Sequence, residues 1–236
     1  MSLEEANATH NELSVCLSLK YGLCPVALMT RNLVEAEQAI VRLSDITTGL
    51  NAQFWRSAAR YLEGKLLVER GEFAAGTALL RAERSASERT GWKDCYPEYL
   101  GVLAQGLAGL GQFPEALSTI DRALDEADRS GERYYVAELL RLKGEILLAP
   151  SRDGNVVVDD CFHTALRVAR DQGALLLELR VAISLARWRM HQHRSDDARQ
   201  ILAPVYDRFV EGFDTPDLHT ARTLLATLDD QPEGSA

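Results

Sequence analysis

Residues 97–131, PEYLGVLAQGLAGLGQFPEALSTIDRALDEADRSG, read as two amphipathic helices joined by the short turn LGQFP. In the first helix Leu100, Leu103, Leu107 and Leu110 recur at helical spacing, and Ala104 and Gly106 leave room for a neighbouring helix. Ala116, Ile120 and Ala123 or Leu124 repeat the pattern after the turn, and Pro114 sits near the second helix start, where its missing N–H is not needed. Gly71, Gly91, Gly111 and Gly131 fall 20 residues apart and mark the expected helix ends, because the residue after a helix often turns left-handed.

Working outward, the small residue of each second helix aligns at Ala36, Gly76, Ala116, Val158 and Ala198, with steps of 40, 40, 42 and 40 residues. Twelve positions upstream stand Cys24, Gly64, Ala104 and Ala186, with Gly144 fourteen upstream because the link APSRDGN is longer and reads as a loop. A constant period implies a repeat architecture. Five hairpins are expected, over about 12–49, 51–91, 95–131, 133–173 and 174–212, followed by a capping helix over 216–228. Together they form one expected all-α domain, a right-handed superhelix over residues 12–228. Residues 1–11 and 229–236 are expected to be disordered or tag-derived.

Three local signals refine this picture. Pro25 is expected to kink the first helix, and Pro204 to bend the helix DARQILAPVYDRFVEG. Thr215-Pro216-Asp217 supplies an N-cap, a first-turn proline and an acid for the last helix. The first hairpin lacks a polar cap, which predicts further repeats upstream.

Composition narrows the function classes. The chain has 236 residues, 46% hydrophobic and 26% charged, as a folded chain does. No run approaches the roughly 20 apolar residues of a bilayer span, and the acidic start MSLEEANATHNE is unlike a secretion signal. Cys16, Cys24, Cys95 and Cys161 form no CxxC pair, so a reducing, cytoplasmic setting is expected. A net charge of −9 and the lack of a basic run argue against direct nucleic-acid contact.

Hairpins with small residues at the eighth and twentieth positions and a large apolar residue at the twenty-fourth resemble tetratricopeptide repeats; Ala104, Ala116, Ile120 and Ala123 carry the resemblance best. The period exceeds the usual 34 residues, and the usual early tryptophan and late proline are absent. The stretches YYVAELLRLKGEILL, LELRVAISLARW and LLAPVYDRFVEGFDTPDLHTARTLL resemble C-terminal arrays of large bacterial signalling proteins. In those, an NTPase module precedes the repeats of a transcriptional regulator or a nucleotide cyclase fusion. The resemblance implies a non-catalytic regulatory module that binds a protein or peptide, including its own NTPase module. A small-molecule inducer sensor is the alternative, and a self-association platform, giving a homodimer, is a third. No cofactor is implied, and the chain contains no Walker-type GxxxxGK[ST] segment.

The same resemblance assigns ligand-facing positions on the first helices: Tyr61 and Lys65; Glu98 and Gln105; Glu138, Arg141 and Glu145; Arg180 and Arg187. Lys65, Arg141 and Arg187 would then hold carboxylates of an acidic or C-terminal peptide. The competing reading pairs Glu138 with Arg141 and Arg141 with Glu145 along solvated helix faces. His191, His193, Asp196 and Asp197 have metal-ligand chemistry but occupy a turn, where they complement helix ends. Asp159, Asp160, Cys161 and His163 are split over different helix faces. Trp55, Trp188, Tyr134 and Tyr135 read as packing residues rather than stacking platforms.

Overall fold

A computed structural model describes residues 11–49, 53–90, 95–150 and 156–229. Gly91 and the expected loop at 151–155 lie outside the described residues, as do the expected disordered ends apart from Asn11 and Asp229. Asn11 instead caps the first helix, its Oδ1 accepting the Leu13 N–H at 3.0 Å, and Asp229 pairs with Arg199. The described residues form helices joined by turns, with no strand among them.

The chain divides into two compact units, Met1–Gln112 and Phe113–Ala236. The expected single domain over 12–228 is therefore described as two parts, with the boundary in the turn of the third hairpin. The first unit holds α1 (Glu12–Ser18), a π-helical turn (Leu19–Leu23), α2 (Cys24–Met29), α3 (Leu33–Gly49), α4 (Gln53–Glu69), α5 (Phe73–Thr90) and α6 (Tyr96–Gly109). The second holds α7 (Phe113–Ser130), α8 (Val136–Leu148), α9 (Val156–Asp171), α10 (Leu175–His191), α11 (Ser195–Tyr206) and α12 (Pro216–Asp229). Within each unit consecutive helices pack together, and helices two apart also touch: α4 meets α6, and α10 meets both α8 and α12.

The small-residue ruler has a physical basis in the α4–α5 hairpin. A Cβ on Gly76 would lie 3.0 Å from the Gly64 carbonyl oxygen and 2.8 Å from Val68 Cγ2, so the two backbones meet where both residues lack a side chain. In the α8–α9 hairpin the Phe162 ring lies against Gly144, 2.7 Å from where a Cβ would stand. Cys24, Ala36, Ala104, Ala116, Ala186 and Ala198 are likewise fully buried. Phe162 lies at the centre of the second unit's core with Leu179, Leu185 and Leu202, and burying such a side chain stabilises the fold by about 1.5–3 kcal/mol.

Four of the hairpins close by the same turn among the described residues. After α4 the Gly71 N–H donates to Val68 O at 3.0 Å and the Glu72 N–H to Leu67 O at 2.9 Å; after α6 Gly111 and Gln112 repeat this with Ala108 and Leu107. This closure needs a left-handed residue, and Gly71 and Gly111 have φ of 79° and 73°. The same closure follows α2 at Arg31 and α10 at His193, with φ of 56° and 60°. Glycine therefore marks only part of the series, and two L-residues complete it at a conformational cost.

The first helix does not simply kink. The Cys24 N–H reaches back five residues to Leu19 O, so a π-helical turn precedes Pro25 and the chain runs on helically to Met29. Glu12–Met29 is the one stretch among the described residues with the length and composition to cross a bilayer, a test that buried core helices also pass. Here Cys16, Leu19, Cys24 and Leu28 are buried, and so is Lys20.

The last hairpin departs from expectation at its end. α11 passes through Pro204 but stops at Tyr206, before Gly212. Two distant interactions draw the chain out of the helix. Arg208 Nη1 donates to Glu178 Oε2 at 2.5 Å, and Phe209 packs on the core of the second unit. Glu178 is only 2% exposed and also accepts from Arg170 Nε at 2.7 Å. α12 begins at Pro216 as expected, with the Thr215 hydroxyl donating to Gly212 O at 2.7 Å.

Candidate functional site

The first unit pairs two of its expected ligand-facing residues with each other. Lys65 is buried in α4, and its Nζ lies 2.5 Å from Glu98 Oε1 of α6. Tyr61 is also buried, its ring 5.7 Å from that of Tyr99, whose hydroxyl donates to Leu80 O. Gln105 is half-buried one turn and a half farther along α6. The Lys65 ammonium already has its carboxylate, so this surface offers it to no ligand.

In the second unit α8 and α10 bring the remaining candidates together. Arg141 lies on Glu138 through a bidentate contact, Nε to Oε2 at 2.9 Å and Nη2 to Oε1 at 2.6 Å. Its Nη1 reaches Glu145 Oε1 at 2.6 Å and Ser184 Oγ at 3.3 Å. Both helical pairs read from the sequence are therefore present, but Glu138 and Arg141 are buried rather than solvated. Burial works against the Arg141 charge, yet the carboxylates of Glu138 and Glu145 outweigh it and hold its pKa well above the ordinary value. Arg180 donates through Nε to Asp217 Oδ2 of α12 at 2.7 Å; burial opposes its charge too, and Glu138 and Asp217 overcome it.

Beside this network lies a cavity of about 410 Å³. Its polar lining is Glu145, Ser184, Arg187 and His191, and its apolar lining is Leu148, Ala149, Phe162 and Trp188. Ser184 Oγ donates to Glu145 Oε1 at 2.8 Å, so that oxygen already receives two donors. Glu145 keeps 42% of its side chain exposed, and its Oε2 has no partner among the described residues. Arg187 is exposed and forms no ion pair or hydrogen bond with any described residue. It is the one cation of the three proposed from the resemblance that remains available.

Trp188 is mostly a packing residue, 6% exposed, with its Nε1 donating to Asp159 Oδ1 at 3.1 Å. It stacks on His191, ring centroids 6.0 Å apart and planes at 19°, which fixes one wall of the groove. Asp159 also pairs with buried Arg189, whose Nη2 lies 3.3 Å from His163 Nε2. Asp159 and His163 of α9 thus hold α10 in place. Among the described residues no group of three His, Cys, Asp or Glu side chains is placed to hold a metal ion.

The sequence reading named Glu145 and Arg187, missed Ser184, and weighed His191 only as a metal ligand in a turn, whereas it is the last residue of α10. The signal was present: Arg180, Ser184, Arg187 and His191 follow one another at i+4, i+3 and i+4, a single stripe along α10. No family model matches the chain, and no curated protein matches it.

Proposed function

We propose that the chain is a tetratricopeptide-like regulatory module of a bacterial signalling protein, a right-handed superhelix of five hairpins and a capping helix that acts by binding rather than by catalysis. Its partner would be a protein or peptide segment, including the NTPase module of its own full-length protein, and docking would shift the population of that protein's active state. The observation that supports this best is the α8–α10 surface, where an ion pair with buried Arg141 holds Glu145 at a groove that Arg187 also lines, with neither charge fully satisfied. Thermal unfolding with and without the separately purified adjoining module tests it, since a ligand of the native state raises the midpoint. An unchanged midpoint with the module, together with no effect of Arg187→Ala on any association, would remove the reading.

The groove's volume favours a second reading. About 410 Å³ lies within the range of small-molecule sites, and its lining combines apolar walls with a few convergent polar groups. On this reading the module is a sensor, and the ligand is an inducer held between α8, α9 and α10.

A further inference from the structure

We infer that the groove between α8, α9 and α10 takes a small zwitterion, an ammonium and a carboxylate on one apolar body, as in an apolar α-amino acid or a short linear peptide. This rests on the sensor reading above. The argument is one of charge. Arg141 is a single cation shared by two carboxylates, and its bidentate face is given to Glu138. Glu145 receives only Nη1 and the Ser184 hydroxyl, both on Oε1. The adjoining Arg180 pairs with Asp217 and also feels Glu138, so this network sets three carboxylates against two guanidiniums. One carboxylate charge therefore remains at the groove, on Glu145. Arg187 contributes one guanidinium to the same groove, and no ion pair joins it to Glu145.

A purely anionic ligand would meet Glu145, and a purely cationic one would meet Arg187. A zwitterion satisfies both, its ammonium on Glu145 Oε2 and its carboxylate on the Arg187 fork, with each charge-assisted contact near 2.8 Å. The two anchors stand apart, and the ligand bridges the gap that they do not close themselves. Leu148, Ala149 and the Phe162 ring then cover the apolar side chain. Phe162 is held against Gly144, so this floor cannot collapse into the groove.

The test is a calorimetric titration of the full chain with L-phenylalanine, L-leucine and leucyl-leucine, beside N-acetyl-L-phenylalanine and L-phenylalaninamide. Each blocked form removes one charge and should bind at least about tenfold more weakly than the free amino acid. Tighter binding of leucyl-leucine than of leucine identifies the peptide as the source; the reverse identifies the free amino acid. Arg187→Ala and Glu145→Gln should each lose binding by a similar factor while keeping the wild-type far-ultraviolet spectrum, Arg187→Ala also at the wild-type melting midpoint, and Arg187→Lys should restore part of the binding. Equal binding of blocked and free forms, or unchanged binding by Arg187→Ala, overturns the inference. A parallel thermal screen with sugars, nucleotides and dicarboxylates at about 1 mM separates the two claims. A hit there with no zwitterion binding overturns the zwitterion and leaves the sensor reading standing; no hit in either set overturns both.

Discussion

Gly76→Ala and Gly22→Ala should change the stability of the first unit in opposite directions. In a helix interior alanine is favoured over glycine by about 0.8–1 kcal/mol, and that gain is common to both sites. At Gly22 a Cβ meets nothing within 4 Å, so the gain stands alone. At Gly76 the new atom would lie 2.8 Å from Val68 Cγ2, 3.0 Å from Gly64 O and 3.1 Å from Val68 N. Two of these three are backbone atoms, and the third belongs to a β-branched side chain with little rotamer freedom, so relief requires moving α5 away from α4. Overpacking of this kind costs about 1–3 kcal/mol, and the backbone contacts place Gly76 at the upper end. The net change is a loss of about 1–2 kcal/mol for Gly76→Ala against a gain of just under about 1 kcal/mol for Gly22→Ala. For a unit of this size each kcal/mol moves the midpoint by about 4–8 °C. Thermal melts followed by circular dichroism, with urea unfolding to check the slope, measure both. A Gly76→Ala variant that melts at or above the wild type would refute the claim that backbone approach explains the small-residue period.

Three further outcomes follow from buried charge, strained turns and a buried thiol. Arg141→Met takes the bidentate guanidinium from the Glu138 carboxylate, which is 4% exposed, and should cost about 3–5 kcal/mol in urea unfolding. Arg31→Gly and His193→Gly relieve a left-handed L-residue and should each raise stability by about 1 kcal/mol in the same assay, whereas a non-glycine residue at Gly71 should lower it. Burial pushes the Cys24 thiol up from 9.0 to about 12. Its raised folded pKa supplies stability that is whole below pH 9 and is lost as pH climbs toward 12, because only the unfolded chain then releases the proton. Stability measured across that window should fall less steeply for Cys24→Ala than for the wild type.

The hairpin period was legible because it is enforced locally. Gly64 and Gly76 are small for a reason that acts within one helical pair, and Gly71 and Gly111 end helices by a closure spanning six residues. Arg31 and His193 make the same closure without glycine, so a ruler built on glycine alone passes over them. The end of α11 was not legible, because Arg208 and Phe209 are drawn out by Glu178 and by a core assembled from several helices. The candidate site was half legible. Glu145 and Arg187 stood at positions that the resemblance marks, and the Arg141 pairs within α8 were readable from spacing, but Lys65 differs from Arg187 only in having a carboxylate brought to it by another helix. Spacing along one helix cannot report what the next helix supplies.

The grip on Glu178 also divides the strap between α11 and α12 into two kinds of chain. Arg208 is moored at one end and the Gly212–Thr215 turn at the other, while Val210 and Glu211 between them are exposed. Slack can be added there without loosening either mooring. A fluorescent label, an epitope or a protease site spliced between Val210 and Glu211 would lie after the Arg208 grip and before the Gly212–Thr215 turn, making this strap the natural place to attach a reporter.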